Sequence, residues 1–202
     1  DAARVEQTRR TVARRGPVRI VTNQLGITQA AAGIDASNVP AGQVLLLPAD
    51  PDASARALRA RLHELTGARV GVIVSDTSGR AWRIGQTDHA IGVAGVVVVA
   101  DYGGQVDEHG HELRVTQMAL ADELAAAADL VKAKLAGRPV AVVRGLGHLV
   151  TDDPVAAGSL LRDEDSDLFA YGAREAVLVA LLSATGQPER YEEIVELDGP
   201  ER

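Results

Sequence analysis

The sequence contains no cysteine, one methionine and few rings: one Trp, one Phe and three Tyr. Without a thiol there is no disulfide, no zinc–thiolate centre and no cysteine nucleophile. With so few rings, any core has to be filled by Val, Leu, Ile and Ala, which suits sheets covered by Ala-rich helices. Clustered positive charge is also lacking. The formal net charge is -7, and outside Arg9, Arg10, Arg14 and Arg15 the cations are scattered. A nucleic-acid surface needs a basic stripe to neutralise phosphates, so nucleic acid and anionic membrane are excluded as partners. The longest apolar run, residues 90–100, is broken by Gly92 and Gly95. It falls well short of the roughly 20 residues that span a bilayer. No signal-peptide pattern is present, and a soluble, cytoplasmic protein is expected. The phosphate loop, the dinucleotide fingerprint and the nucleophile elbow are all missing, so a bound nucleotide has to be held by another route.

What is present reads as α+β, with a mixed-sheet α/β arrangement as the alternative. Residues 6–15 read as the polar end of a helix stopped by Gly16 and Pro17. Two β-branched runs, 18–21 and 27–32, flank Gly26 as a pair of strands, and 44–47 is a third strand closed by Pro48. Residues 50–67 form an amphipathic helix that Asp52 can cap and Gly67 stops, with Leu58, Leu62 and Leu65 on the face toward a sheet. A buried strand over 70–74 then delivers the chain into a polar turn, 75–80. Residues 90–100 read as a second buried strand, in which Gly92 and Gly95 mark a bulge or a close backbone approach. After a Gly- and Asp-rich loop and the half-exposed stretch 112–118 comes a helix over 120–136, with Leu120, Leu124, Val131 and Leu135 on one stripe. Asp122 and Glu123 sit at its positive end. A strand is expected over 140–143 and a helix over 167–184, the latter carrying Val177, Leu178, Leu181 and Leu182. One domain spans 1–185, and the polar tail 186–202 is expected to fray.

Two loops share a composition: Gly33-Ile34-Asp35-Ala36-Ser37-Asn38 and Ser75-Asp76-Thr77-Ser78-Gly79-Arg80. Each offers a carboxylate among hydroxyl or amide oxygens, the ligands that hard cations such as Mg²⁺ or Mn²⁺ prefer. Asp35 and Asp76 therefore either hold divalent ions that bridge nucleotide phosphates or simply cap turns. Arg80, Trp82, Arg83, Gln86 and Asp88 follow within nine positions. The two guanidinium groups suit phosphate or carboxylate, and the alternative is a solvated turn with Trp82 tucked into the core. His109 and His111 lie two apart in a Gly-rich loop, where surface polarity explains them as well as metal binding does.

The segments AGIDASNV (32–39), VSDTSGR (74–80), GQTD (85–88), ELRVT (112–116), ADELAAAAD (121–129) and VAVVRG (140–145) resemble, in order, signature stretches of the coenzyme F-420:L-glutamate ligases. The likeness runs from about residue 18 to residue 184. It implies a GDP-forming, amide-forming ligase: GTP phosphorylates the terminal carboxylate of the F-420 precursor, and the amine of L-glutamate displaces phosphate. It implies divalent-ion ligands at Asp35, Asp76 and Thr77 and a GTP contact at Asn38, with Arg80, Arg83 and Gln86 as substrate or phosphate contacts. Mg²⁺ or Mn²⁺, a monovalent cation such as K⁺, and a homodimer with its active site near the subunit contact belong to the same implication. Residues 132–137 (KAKLAG) resemble bacterial members, whereas archaeal ones carry an acidic metal ligand there. The family's Ser- and Lys-bearing N-terminal segment has no counterpart, so an N-terminally incomplete ligase is expected. The alternatives are a related amino-acid ligase acting on another acidic metabolite, a catalytically silent ligand-binding subunit, and a metal phosphohydrolase.

Overall fold

The structure is a computed structural model that describes residues 2–37, 39–195 and 197. It divides into two compact units, one built from 1–47 with 161–202 and the other from 48–160. Helices accompany sheets whose strand pairs are all antiparallel, which is the expected α+β class.

In the first unit a short helix α1 (Ala2–Gln7) leads into a sheet of order β1-β2-β3, made by Thr8–Arg15, Val18–Asn23 and Thr28–Ala30. The helix expected over 6–15 is thus a strand from Thr8 onward. Its β-branched Thr11 and Val12 are buried, and the pair Arg15↔Val18 closes a hairpin over Gly16 and Pro17. Gly16 takes φ +56 there, a conformation that glycine adopts without a Cβ penalty. The expected β2–β3 pair forms around Gly26. Residues 44–47 make no strand: only the bridge Asp35↔Leu45 forms, and Val44 to Leu46 stay exposed.

α4 (Ala173–Ala184) and α5 (Tyr191–Val195) lie along β1. The Arg14 N–H donates to Glu175 Oε1 at 2.9 Å, and the Tyr191 hydroxyl donates to the Thr11 carbonyl at 2.8 Å. These contacts use polar groups that an edge strand would otherwise leave open. Burial, then the Glu175 and Glu192 charges, pushes the Tyr191 hydroxyl pKa up. α4 starts six residues later than expected because Gly172 before it is extended, at φ -65 and ψ 160. Beyond it, Tyr191 and Val195 pack with Leu182 in a buried cluster, so residues 188–195 form a turn and a short helix against α4. Val177 and Leu181 face outward.

The second unit centres on the long hairpin β4 (Val72–Arg80) and β5 (Arg83–Ala94), with α2 (Pro51–Thr66) and α3 (Leu120–Lys132) packed against β5. A small ladder, β6 (Ala100–Asp101) with β7 (Gln117–Met118), flanks the Gly- and Asp-rich loop. Asp50, rather than Asp52, caps α2 by accepting from the Ala53 N–H at 2.7 Å. Leu58, Leu62 and Leu65 are exposed, contrary to expectation. The buried face is instead Pro51 and Ala55, small enough to bring the helix axis close to β5. Gly92 completes that approach, since a Cβ there would overlap the Pro51 carbonyl group. It also borders a bulge: Val74 pairs with Gly92 and Ser75 with Ala90, leaving Ile91 as the extra residue.

Carboxylates at the starts of both helices satisfy β5. Asp52 Oδ1 accepts from the N–H groups of Val93 and Ala157 at 2.8 and 3.1 Å, and Asp122 Oδ1 accepts from Ala90 at 2.9 Å. The core holds Ala90, Val93, Val96, Val98, Ala121 and Ala157. The strand expected over 90–100 ends at Ala94, because Gly95 at φ +67 turns the chain and Val96 forms only a bridge to Val150. α3 stops at Lys132, leaving Val131 and Leu135 exposed. Residues 140–143 make no ladder among the described residues, and Val140 and Val142 are 77% and 73% exposed. No described helix is long and apolar enough to cross a membrane.

Candidate functional site

Residues 75–80, expected as a polar turn, are the distal half of β4, held by a ladder that continues to Arg80↔Arg83. Side chains therefore alternate between the hairpin's two faces. On one face stand Ser75, Thr77 and Asp88. Asp88 is 2% exposed and accepts from the Thr77 hydroxyl at 2.6 Å, the Ser75 hydroxyl at 2.8 Å and the Lys132 ammonium. Lys132 arrives from the last turn of α3 and also donates to Ser75 Oγ at 3.1 Å. Burial alone would raise the Asp88 pKa. The hydrogen bonds from Lys132, Thr77 and Ser75 and the Lys132 charge outweigh it, and the carboxyl is held below its usual value. Asp88 is thus a fixed anion that orients two hydroxyl groups.

On the opposite face Asp76 is paired with His89, and Ser78 Oγ lies 2.9 Å from His89 Nδ1. Asp76 and Thr77, consecutive on the strand, send their side chains to opposite faces. Arg80, Arg83 and Gln86 lie at the exposed hairpin tip, where the two arginines pair across the turn Ala81-Trp82. Trp82 is not in the core: it is 80% exposed, at φ +59.

Asp35 belongs to the first unit. Its carboxylate accepts from the Ser37 N–H at 2.7 Å and the Ser37 hydroxyl at 2.5 Å, a local turn of the kind Asp favours. Asn38 lies outside the described residues. His109 and His111 are exposed and organised by Asp107, which accepts from both backbone N–H groups.

No group of three or more His, Cys, Asp and Glu able to hold a metal occurs among the described residues. What Asp76 with Ser78, and separately Asp35 with Ser37, offer is one carboxylate and one hydroxyl each. Such oxygen-only sets fit an ion of the Mg²⁺ type, which takes most of its ligands from phosphate and water.

Lys132, which sequence reasoning noted only as standing where archaeal family members carry an acidic metal ligand, has a partner that the sequence reading did not assign. Its signal was legible, because Ala121, Ala125, Ala128 and Lys132 form one helical stripe whose first members are buried. A lysine that ends a buried stripe needs an acidic partner, and Asp88 is that partner.

Residues 3–145 match the model of the F420-0:gamma-glutamyl ligase family. The chain is 45% identical over 163 residues to the coenzyme F420:L-glutamate ligase of Methanopyrus kandleri, covering 79% of this chain and 65% of that protein. To the protein of the same name from Archaeoglobus fulgidus it is 50% identical over 131 residues, covering 64% and 53%. To that from Haloarcula marismortui it is 45% identical over 145 residues, covering 71% and 55%. The chain thus spans between 53% and 65% of the length of these relatives, all of them archaeal.

Proposed function

Since the chain belongs to the F420-0:gamma-glutamyl ligase family, we propose that it is the part of a ligase that joins L-glutamate through an amide bond to the coenzyme F-420 precursor. In the reaction we assign, a carboxylate oxygen of the precursor attacks the γ-phosphorus of GTP, giving an acyl phosphate and GDP. The L-glutamate amine then attacks the acyl carbon, forming the C–N bond as phosphate leaves and the amine gives up its proton. No protein nucleophile is required, so the protein's task is positioning and electrostatics. The observation that carries the reading is the two-faced polar hairpin, because it places Asp76 with Ser78 on one face and the Ser75 and Thr77 hydroxyls, anchored on Asp88, on the other.

Asp76 is the candidate ligand for Mg²⁺ or Mn²⁺, an ion that would neutralise charge on the phosphates when bound. Thr77, whose hydroxyl is held by Asp88 on the opposite face of the strand, remains a candidate ligand on the strength of the resemblance alone. The exposed guanidinium groups of Arg80 and Arg83 suit phosphate or carboxylate, and Gln86 opposite Gly79 offers an amide to the same ligand. Asp35 remains a second candidate ligand in its own unit, and Asn38 a nucleotide contact, both on the strength of the resemblance. A K⁺ requirement and a cytoplasmic setting, where GTP is available, belong to the same proposal. So does a homodimer, on the strength of the resemblance.

Calorimetric titration of GDP in the presence and absence of Mn²⁺ tests the site. Binding that needs the metal, and that is lost in Asp76→Asn, supports the assignment. Binding indifferent to Mn²⁺ or to that substitution overturns it.

A further inference from the structure

A cleft of about 820 Å³ lies wholly within the second unit, between the C-terminal half of α2, the end of β5 and the loop at 152–155. Three guanidinium groups line it, from Arg56, Arg59 and Arg69, against the carboxylates of Asp152 and Asp153. Its lining is therefore cationic, although the chain as a whole is acidic. The level of Asp76 is four residues away along β5, on the order of 13 Å at the rise of a strand, so the cleft is separate from the hairpin's polar faces.

Its floor is built rather than incidental. Arg59 is the least exposed of the charged side chains that meet there, at 26% against 60% for Arg69 and 69% for Asp152. Its Nε donates to the Val70 carbonyl at 2.9 Å, and its Nη2 donates to the Thr151 carbonyl at 3.2 Å. The guanidinium lies against Gly95, where any Cβ would overlap it. Backbone on three sides thus fixes this cation in one pose. Arg69 stands opposite, and a single carboxylate bridges the two: Asp152 Oδ1 accepts from Arg59 Nη2 and Oδ2 from Arg69 Nη2, each at 2.7 Å. The two guanidinium groups hold Asp152 below its usual carboxylate pKa. Nη1 of Arg59, and Nε and Nη1 of Arg69, have no protein acceptor among the described residues. His63 adds a ring whose Nδ1 lies 3.2 Å from the Ala68 carbonyl, which can only accept, so the proton sits on Nδ1.

Two guanidinium groups that converge on one carboxylate are a receptor for a carboxylate or phosphate, and here the receptor holds a side chain from an exposed loop. We propose that this cleft is an anion site for a small carboxylate- or phosphate-bearing molecule, with Arg59 and Arg69 as its receptor and Asp152 as the internal occupant that an incoming anion displaces. The rigid Arg59 keeps the site formed when Asp152 leaves, and the unused N–H groups allow a larger anion more hydrogen bonds than Asp152 makes.

The test is titration of the chain with inorganic phosphate and, separately, with succinate, at constant ionic strength held by sodium chloride, in the parent and in Asp152→Ala, Arg69→Ala and Arg59→Lys. Removing the internal competitor is expected to tighten anion binding by about tenfold, and removing one fork of the receptor to weaken it by a similar factor. Preference for phosphate or for succinate identifies which anion chemistry the cleft serves. A structural salt bridge alone predicts that Asp152→Ala lowers the melting temperature without creating anion binding, and that result overturns the proposal. So does binding that Arg69→Ala and Arg59→Lys leave unchanged.

Discussion

Asp88 is buried and yet held as an anion, because Lys132 and two hydroxyl groups replace the water it has lost. Removing one member of such a pair leaves the other buried without compensation, which costs about 3–5 kcal/mol. Lys132→Met is therefore expected to lower the urea-unfolding free energy by that order, and Asp88→Asn added to it to recover part of the loss. If the single and double variants unfold alike, the pair does not act as a unit. The pH dependence has a definite sign. A carboxyl held below its usual value contributes stability that is complete above the unfolded carboxylate range, near pH 4, and is lost as pH falls through the depressed folded value. The parent should thus lose more stability below about pH 4 than a variant with Asn at position 88 and Met at 132. On the other face, Asp76→Asn keeps the shape of the side chain and removes the charge. Turnover should fall by about two orders of magnitude or more while the circular dichroism spectrum stays unchanged. Asp35, Asp76 and the Arg80–Gln86 group are singled out by composition. What composition could not show is that Asp76 and Thr77 diverge, because that follows from residues 75–80 being strand rather than turn.

The lesson of the elements is that small residues, not large ones, decide which faces meet. The leucines of α2 gave a sound helix prediction and a wrong contact face, since Pro51 and Ala55 approach β5 where Gly92 leaves room. Gly92→Ala puts a methyl group into the Pro51 carbonyl and is expected to destabilise by about 1–3 kcal/mol, measured as a shift of the urea midpoint. A silent Gly92→Ala would mean that the helix does not sit that close. Asp52→Ala strands two backbone N–H groups, Val93 and Ala157, which should cost at least about 1–3 kcal/mol. A cost of only a few tenths, the size of a weakened helix start, would contradict that role. The helices over 51–66, 120–132 and 173–184 were readable from periodicity and stop residues, as was the β2–β3 pair. β1 was not. Its arginines are good helix formers, and only its pairing with β2 and the burial of Thr11 and Val12 make it a strand. Residues 140–143 show the opposite case: their β-branched run reads as a strand, but among the described residues no neighbour offers them a ladder.

Over the whole molecule, two units each carry part of what the family resemblance singles out: Asp35 in one, and Asp76, Thr77 and the hairpin tip in the other. The chain spans between 53% and 65% of the relatives' length, so the activity of the chain itself is the claim most in need of trial. Supplied with GTP, Mn²⁺, L-glutamate and the F-420 precursor, it should convert the precursor to a product heavier by one glutamyl residue, seen by mass spectrometry, with GDP formed in step. Product should disappear when L-glutamate is omitted and in Asp76→Asn. A precursor that stays unmodified by the chain under these conditions, or a glutamyl product that forms equally well with the Asp76→Asn variant, would contradict the account.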